Sequence, residues 1–379
     1  MFTRILNLEN LIEKNSFFLF GPRGTGKSTL VQGIENTVYY DLLEPGTFSR
    51  LLARPALLEE ELALSEPGRI VVLDEIQKLP VLLDSVHRLI ERQRLKFILT
   101  GSSARKLKRQ SESNLLGGRV WEANLFPLTY REIPNFDLTQ YVNRGGIPKV
   151  FLSEYFLEDL KAYVGIYLKE EILAEALVRK LDQFSRFLEV AALQSGEELS
   201  LEGIASDAQV KAKTVGNYVE ILEDTLIGFR LHSFWKTKKR KAISRSKFYL
   251  FDLGVTNYLA RRRDLLPGSE LFGKAFEQFI ICEVRAYVSY LRRDLELFYW
   301  RSVHSQEVDL IVQDVLAIEI KSTSLVQEKH LKGLKALKEE ELIQNYIVVS
   351  QDPKVRKVDG ITIYPWRDFL DRLWSGQWF

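Results

Sequence analysis

The first third of the chain alternates short apolar runs with amphipathic segments. The apolar runs SFFLF (16–20), NTVYYD (36–41), RIVVLD (69–74) and LKFILTG (95–101) have the length of buried strands. Segments with helical spacing lie between them. Apolar strands separated by helices indicate a parallel sheet that is covered on both faces. Up to about residue 136 the pattern therefore predicts an α/β domain.

Two regions with different patterns follow. Residues 137–265 have mainly helical spacing, with one basic β-ribbon. Residues 266–379 begin with a helix and continue with the apolar strands ELFYWR, EVDLIVQ, VLAIEIK and NYIVVS. The chain is thus predicted to have three domains, namely 1–136, 137–265 and 266–379, and the first and last are α/β.

The composition is that of an ordinary globular protein. Of 379 residues, 46% are hydrophobic and 27% charged, and 53 Lys+Arg against 51 Asp+Glu give a formal net charge of +2. These values exclude a disordered chain. The single cysteine, Cys282, excludes intramolecular disulfides and suits a reducing compartment. No apolar run approaches the ~20 residues of a membrane helix, so we expect a cytoplasmic protein without a membrane span.

A phosphate-binding motif follows the first predicted strand. GPRGTGKST (21–29) matches G-x-x-x-x-G-K-[ST] and opens a helical pattern, a context that a chance glycine-rich turn does not explain. Lys27 would neutralise the β- and γ-phosphates of ATP, and the Ser28 hydroxyl would bind Mg²⁺. The predicted nucleotide-binding residues are Gly21, Pro22, Arg23, Gly24, Thr25, Gly26, Lys27, Ser28 and Thr29.

The next strands end in residues that complete such a site. RIVVLD ends in Asp74, followed by Glu75. Asp74 would hold Mg²⁺ directly or through water, and Glu75 would polarise the attacking water. Ser102 follows LKFILTG and would contact the γ-phosphate, with Thr100 and Ser103 as alternatives.

An arginine would complete the charge of an ATPase site. Arg119 in GGRVWE is the first candidate and Arg105 the second. For either residue, a solvated surface arginine is an equally good interpretation.

The middle region has the pattern of a winged helix. SLEGIASDAQV (200–210) and KAKTVGNYVEILEDTLI (211–227) have helix-turn-helix spacing, with Tyr218 expected on the outer face. Phe229 to Lys247 contain eight Lys/Arg and no acid. Such a basic wing can engage DNA phosphates. The alternative is a packing module with a solvated basic hairpin.

The order of these motifs resembles the AAA-like, STAND-type P-loop ATPases of bacteria and archaea. Further segments resemble one group of them, whose carboxyl-terminal domain of unknown function is restriction-endonuclease-like. These segments are FPLTYREI (126–133), GGIPKV (145–150), KFYLFDLGVTNYLA (247–260), FGKAFEQFI (272–280) and EVDLIV…AIEIKS (307–322). The resemblance covers essentially the whole chain. It implies the architecture rather than the biological role, because one fold serves many functions.

The last region carries a D…E-x-K pattern that resembles the PD-(D/E)xK nuclease core. Side chains alternate along a strand, so Glu319 and Lys321 share one face, and a hairpin would bring Asp309 to the same end. Glu277 matches the additional helix acid of that family. The resemblance implies Mg²⁺ bound by Glu277, Asp309 and Glu319, with Lys321 acting on the attacking water. Val308 stands where the family has proline.

The alternative for this cluster is a nuclease fold that does not cut, with its acids paired to Lys321 and Arg301. Two functions are therefore open. The first is an ATP-driven switch or ATP-dependent DNA-processing enzyme with a nuclease-like tail. The second is a regulatory ATPase whose inactive tail only binds a protein or nucleic acid. A small-molecule kinase is a third interpretation, but nothing resembles an acceptor pocket. The expected partners are ATP, DNA through the middle and last domains, and a second copy or another protein.

Overall fold

The computed structural model describes residues 2–102, 118–168 and 181–379. By their contacts these residues group into two compact units. The described residues of the first unit are 2–102, 118–126 and 224–227, and those of the second are 127–168, 181–223 and 228–379. The bounds of the three predicted domains stay a prediction.

The first unit is built on a parallel sheet, which confirms the predicted α/β architecture. Its neighbouring strands are all parallel and lie in the order β2-β3-β4-β1-β5. The strands are β1 (Phe17–Phe20), β2 (Thr37–Asp41), β3 (Ile70–Asp74), β4 (Lys96–Gly101) and β5 (Trp121–Asn124). The sequence pattern missed β5, because WEAN is short and half polar.

One helix precedes β1, and the other helices lie between the strands along the chain. In the last of them, Leu82, Val86 and Leu89 are buried at helical spacing, so one face packs into the core of the unit. The helices are α1 (Leu8–Lys14), α2 (Lys27–Gln32), α3 (Pro45–Ala53), α4 (Leu57–Leu62) and α5 (Leu82–Gln93), with a 3₁₀ turn at Ile76–Lys78.

The second unit contains a mixed eight-stranded sheet in the order β12-β13-β11-β10-β9-β8-β6-β7. Its strands are β6 (Gly228–Ser233), β7 (Lys247–Leu250), β8 (Leu297–Arg301), β9 (Glu307–Val312), β10 (Leu316–Lys321), β11 (Asn345–Ser350), β12 (Arg356–Val358) and β13 (Ile361–Pro365).

The helices that follow the first unit along the chain start at Leu138. None of the helices in the described ranges is long and apolar enough to cross a membrane. They are α6 (Leu138–Arg144), α7 (Pro148–Leu152), α8 (Phe156–Ala162), a π-helical segment (Tyr163–Leu168), α9 (Leu181–Leu193), α10 (Leu201–Ala208), α11 (Ala212–Asp224), α12 (Leu253–Leu259), α13 (Glu270–Tyr290), α14 (Lys332–Lys338) and α15 (Trp366–Trp374), with 3₁₀ turns at Tyr130–Glu132 and Glu328–Leu331.

The strands of the expected wing belong to the large sheet. β6 pairs with β7 on one side and with β8, a strand of the last region, on the other. The predicted β-ribbon therefore forms, and its strands are part of a larger sheet that also satisfies the backbone hydrogen bonds of β6 on its other side. Helices do form at the expected helix-turn-helix, with Gln209 in the left-handed conformation between them. Tyr218, expected outside, is buried among Phe184 and Phe187.

One close backbone approach fixes α14 on the sheet of the second unit. A β-carbon at Gly333 would overlap the carbonyl oxygen of Glu307 in β9. Only glycine therefore lets the helix lie this close to the strand.

We expect Gly333→Ala to lower the free energy of unfolding of the second unit by about 1–3 kcal/mol, the usual effect of overpacking. Denaturant unfolding measures it. The matched control is Gly216→Ala in α11, where an added β-carbon meets only Leu201 at an ordinary 3.9 Å. That change should raise stability by about 0.5–1 kcal/mol, since alanine is the better helix former. Equal effects of the two changes would contradict the steric explanation.

A buried carboxylate ties α13 to two other elements of the second unit. Glu283 accepts hydrogen bonds from the Tyr130 backbone N–H (2.7 Å) and from the Trp374 indole N–H (2.8 Å). Burial raises the pKa of Glu283 to about 8, and the two hydrogen bonds offset only part of this effect.

Because the pKa of Glu283 is higher in the folded chain than in the unfolded one, the folded state binds more protons between about pH 4 and about pH 8. Stability should fall as pH rises through this window, and Glu283→Gln should remove that part of the slope. The measurement is the free energy of unfolding against pH. The exposed Glu154→Gln should retain the wild-type slope. Parallel curves for wild type and Glu283→Gln would disprove the assignment.

Candidate functional site

The phosphate-binding loop lies between the end of β1 and the start of α2. Gly24 (φ 81°) and Gly26 (φ 94°) adopt the left-handed conformation, which the loop needs to turn into the helix. Arg4 fixes the loop from outside the motif. One guanidinium nitrogen donates to the Thr25 carbonyl and another to the Phe126 carbonyl, both at 2.6 Å. Sequence reasoning missed Arg4, because it lies far from the motif in the chain.

Lys27 is buried within this loop, and its side chain is only 5% exposed. Its ammonium donates to the carbonyl oxygens of Gly21 (2.7 Å) and Pro22 (3.3 Å). The loop therefore holds a positive charge at its centre, as binding of a polyphosphate requires. Ser28 follows in α2 and is partly buried, whereas Arg23 and Thr29 are exposed.

Asp74 ends β3 with both carboxylate oxygens engaged. Thr100 at the end of β4 and Tyr39 in β2 each donate a hydroxyl hydrogen bond to it. Burial, together with Asp74, raises the pKa of Tyr39 above its ordinary value, so Tyr39 stays a donor. Thr100 also accepts from the Glu75 backbone N–H (3.0 Å). Thr100 thus positions the acids, and Tyr39 is a site residue that the sequence pattern did not reveal.

Glu75 has a backbone conformation that is rare for a residue other than glycine, with φ 63° and ψ 45°. Its carboxylate accepts a hydrogen bond from the Gln77 amide (2.5 Å), which also donates to the Ser102 hydroxyl (3.3 Å). Gln77 and Ser102 are both buried. Gln77 therefore connects the two residues predicted for water activation and γ-phosphate contact. No sequence motif indicates this role.

The strand order explains why these residues meet. All five strands are parallel, so their carboxyl ends lie at one edge of the sheet, where ligands of such sheets bind. β4 lies between β1 and β3. Ser102, just past β4, consequently stands between the phosphate-binding loop and the Asp74–Glu75 pair.

Arg119 lies at the opposite edge of the same sheet. It precedes β5, whose first residue pairs with the first residue of β1, and it forms an exposed ion pair with Glu91. A four-residue strand separates this edge from the phosphate-binding loop by roughly 13 Å. The structure therefore does not bring Arg119 to the nucleotide site of its own chain. Arg105 and Ser103 lie outside the described residues.

In the second unit, the structure brings Asp309, Glu319 and Lys321 together. The Lys321 ammonium lies 2.6 Å from Glu319 and 3.3 Å from Asp309. Asp309 also accepts from the Ile320 backbone N–H (2.7 Å). Burial, and Asp309 after it, raise the pKa of Glu319 well above its ordinary value. The two carboxylates raise the pKa of Lys321 despite its burial, so Lys321 is charged.

Glu277 joins this cluster through a second lysine, Lys247. The Lys247 ammonium lies 3.0 Å from Glu277 and 2.6 Å from Glu307. The Tyr249 hydroxyl also donates to Glu277 (2.7 Å). Lys247 was expected among the solvated charges of a wing, but its side chain is buried. The sequence pattern could not predict this burial, because a lysine in an interior strand and a lysine in a wing have the same local sequence pattern.

The predicted metal ligands Glu277, Asp309 and Glu319 do not fit a divalent ion in this arrangement. Across the described ranges, no group of three or more His, Cys, Asp or Glu side chains is placed to hold one. The two lysines already contact all three carboxylates. The cluster as it stands is an ion-pair network.

The stretch from residue 236 to 245, called the basic segment below, is partly anchored by a residue just after α14. The backbone N–H groups of Lys238, Lys239 and Arg240 all donate to the Glu340 carboxylate, at 2.8–2.9 Å. The Arg240 guanidinium pairs with Glu339 (2.6 Å). The Glu340 carboxylate thus fixes the backbone of residues 238–240.

Comparison with protein families divides the chain into three matched segments. An AAA domain matches residues 13–134, the domain of unknown function DUF8612 matches residues 135–266, and the domain of unknown function DUF4143 matches residues 272–369. None of these matches bears on the restriction-endonuclease-like or winged-helix character expected for the later regions.

Similar proteins occur in bacteria and archaea. An uncharacterized protein of Mycobacterium tuberculosis is 27% identical over an alignment 320 residues long, which covers 81% of this chain and 70% of the relative. An uncharacterized protein of Methanocaldococcus jannaschii is 23% identical over a gapped alignment 423 residues long, which covers 94% of this chain and 85% of the relative.

A solved structure of the Aeropyrum pernix ORC2 protein, in ADPNP–ADP complexes, is 13% identical and covers 67% of this chain and 91% of that one, with a TM-score of 0.28. A TM-score this low carries no argument about the present chain. The family match and the five-stranded parallel sheet agree with each other, and the chain therefore carries an AAA-type P-loop ATPase domain, followed by a DUF4143 domain in its last region.

Proposed function

We propose that the first unit binds ATP with Mg²⁺ and hydrolyses it, and that the protein works as an ATP-driven switch. One observation carries the proposal. The buried ammonium of Lys27 in the phosphate-binding loop shares the carboxyl edge of the sheet with the hydrogen-bonded series Glu75–Gln77–Ser102. ATP binding needs only the phosphate-binding loop, whereas ATP hydrolysis also needs an oriented general base.

Each residue then has a distinct task. Lys27 binds the β- and γ-phosphates. Ser28 and Asp74 would hold Mg²⁺, which when bound neutralises phosphate charge. Glu75, held by Gln77, orients the attacking water and accepts its proton. Ser102 contacts the γ-phosphate. The Gln77 amide is hydrogen-bonded to both Ser102 and Glu75, so loss of the γ-phosphate would change the position of Glu75 through Gln77.

We expect Lys27→Ala to weaken ATP binding by about tenfold or more, equivalent to about 1.4 kcal/mol. Glu75→Gln should bind ATP normally but hydrolyse it about 10²–10⁴-fold more slowly, since the base is lost and the binding loop is intact. Equilibrium binding of ATP and steady-state phosphate release measure the two effects. Lys14→Ala, an exposed lysine at the end of α1, is the control and should match wild type.

Wild-type hydrolysis by Glu75→Gln would exclude Glu75 as the base. Tight ATP binding by Lys27→Ala would show that the phosphate-binding loop is not the ATP site. Gln77→Ala gives a further test, because it should slow hydrolysis without weakening binding.

For the second unit, the ion-pair network favours the regulatory ATPase whose tail binds a partner, rather than an enzyme that cuts DNA. The basic segment is the surface that supports a nucleic-acid partner. Its exposed cations Lys236, Lys238, Lys241 and Arg245 make no ion pair with any described residue. Trp235 beside them is 73% exposed. Because Glu340 fixes the loop backbone, these charges are presented without a large ordering cost.

Neutralising these four cations together, each to Gln, should weaken DNA binding and reduce the slope of log K against log salt by about 0.9 per lost phosphate contact. Fluorescence anisotropy with a duplex at several salt concentrations measures it. The control neutralises four exposed lysines elsewhere in the unit, namely Lys329, Lys332, Lys354 and Lys357. Equal slopes for the two quadruple variants would remove the basic segment from the interface.

A further inference from the structure

The second unit contains a cavity of about 550 Å³ that belongs neither to the ATPase site nor to the basic segment. Its lining comes from α6, α8, the π-helical segment, α9 and α12, together with the chain just after α12. All of these elements belong to the second unit. The volume lies within the range of roughly 300–1,000 Å³ that small-molecule sites occupy. The cavity therefore has room for a small organic ligand.

Charge is distributed unevenly around this cavity. Four cations and one carboxylate line it, namely Lys161, Arg261, Arg262, Arg263 and Glu189. Glu189 pairs only with Arg261, at 3.4 Å, and both side chains are largely exposed. Arg263 makes no ion pair with any described residue. The excess of positive charge favours an anionic ligand.

Arg262 is the partly buried cation of the lining. Its guanidinium donates to the carbonyl oxygen of Leu193 at the end of α9 (2.9 Å). Burial lowers the pKa of Arg262, and the charge of Glu197 offsets only part of this effect. Arg262 thus carries a partly desolvated charge and forms no ion pair with any described residue. A guanidinium suits a phosphate group, because its planar fork can donate two parallel hydrogen bonds.

Other parts of the lining are apolar. Leu160, Leu188 and Leu259 line the cavity and are buried. Gly165 in the π-helical segment adds open space, because a β-carbon there would meet no atom of the described residues within 4 Å. The cavity thus combines arginines with an apolar wall, which is the usual composition of a site for an organic anion.

The two asparagines of the lining are committed to the fold. The Asn257 amide donates to the Val142 carbonyl (2.9 Å) and so joins α12 to α6. The Asn143 amide donates to the carbonyl oxygens of Thr139 (2.9 Å) and Leu265 (3.1 Å). These bonds hold the walls in place without a ligand, as in other pre-formed sites. They leave recognition of a ligand chiefly to the arginines.

The number of cations favours a phosphate over a carboxylate. A carboxylate carries one negative charge, whereas a phosphate monoester carries about 1.5–2 at neutral pH and offers three acceptor oxygens. Four cations against one acid match the larger charge.

We propose that this cavity binds a small organic phosphate. Its phosphate group contacts Arg262 and Arg263, and its apolar or aromatic body lies against Leu160, Leu188 and Leu259. This inference goes beyond the proposed ATPase and DNA-binding functions and rests on neither of them.

The experiment measures binding of 1-naphthyl phosphate to the full chain by calorimetry. A Lys27→Ala background removes the phosphate-binding lysine of the ATPase site, so that site does not contribute. The parent in this background should bind one equivalent with a Kd below about 1 mM. Two partial probes test the two parts of the cavity. 1-Naphthol, which lacks the phosphate, and inorganic phosphate, which lacks the aromatic body, should each bind at least about tenfold more weakly.

Two variants test the location. Arg262→Gln combined with Arg263→Gln should weaken binding of 1-naphthyl phosphate at least about tenfold, since both phosphate contacts lose their charge. Gly165→Leu should abolish binding by filling the open space. The matched control combines Arg292→Gln with Arg293→Gln, two adjacent exposed arginines elsewhere in the unit, and should bind like the parent.

Three results would overturn the proposal. The first is no binding of 1-naphthyl phosphate by the parent at millimolar concentration. The second is equal binding by the parent and by the Arg262–Arg263 double variant. The third is equal binding of 1-naphthol and 1-naphthyl phosphate, which would reveal an apolar cavity without phosphate recognition. If Gly165→Leu does not fold, the double arginine variant decides the location, because neither arginine belongs to the buried core.

Discussion

In the first unit, parallel strands with both faces buried must end at one edge, and everything at the nucleotide site depends on this constraint. β1 delivers the phosphate-binding loop, β3 delivers Asp74 and Glu75, and β4 lies between them with Ser102 at its end. The sheet thus separates the phosphate-binding loop from the Asp74–Glu75 pair by the width of one strand. Hydroxyls from Thr100 and Tyr39 and the amide of Gln77 then fix the acids. The distances between these groups are therefore set by backbone pairing in the sheet, which positions them more precisely than loops would.

The second unit depends on a different requirement, namely compensation of buried charge. The carboxylates of Glu277, Glu307, Asp309 and Glu319 belong to α13, β9 and β10, and the lysines that pair with them, Lys247 and Lys321, belong to β7 and β10. Strand β7 is consequently held in the large sheet by ion pairs as well as by backbone hydrogen bonds. The charge of the Glu340 carboxylate is also compensated, in this case by hydrogen bonds from three successive backbone N–H groups of the basic segment. Part of the segment that resembles a nucleic-acid wing in the sequence therefore stabilises the unit, whereas Lys236, Lys238, Lys241 and Arg245 are exposed and form no ion pair with any described residue.

Local residue spacing in the sequence alone determined several structural features of this protein. The glycine-rich motif with Lys27, the Asp74–Glu75 pair after an apolar strand, and the shared face of Glu319 and Lys321 follow from patterns a few residues long, so they could be predicted with the correct element around them. The parallel sheet followed from the alternation of strands and helices. Contacts between distant parts of the chain were decided by the tertiary structure. Arg119 lies at the edge opposite the phosphate-binding loop because β5 pairs with β1. Lys247 is a buried counter-ion because β6 and β7 extend the sheet of the second unit. Arg4, Tyr39 and Gln77 carry no motif, since a hydrogen bond needs only a donor at the right place. The sequence determines which polar and charged groups each segment carries, whereas strand order and burial determine which partner each charged group has.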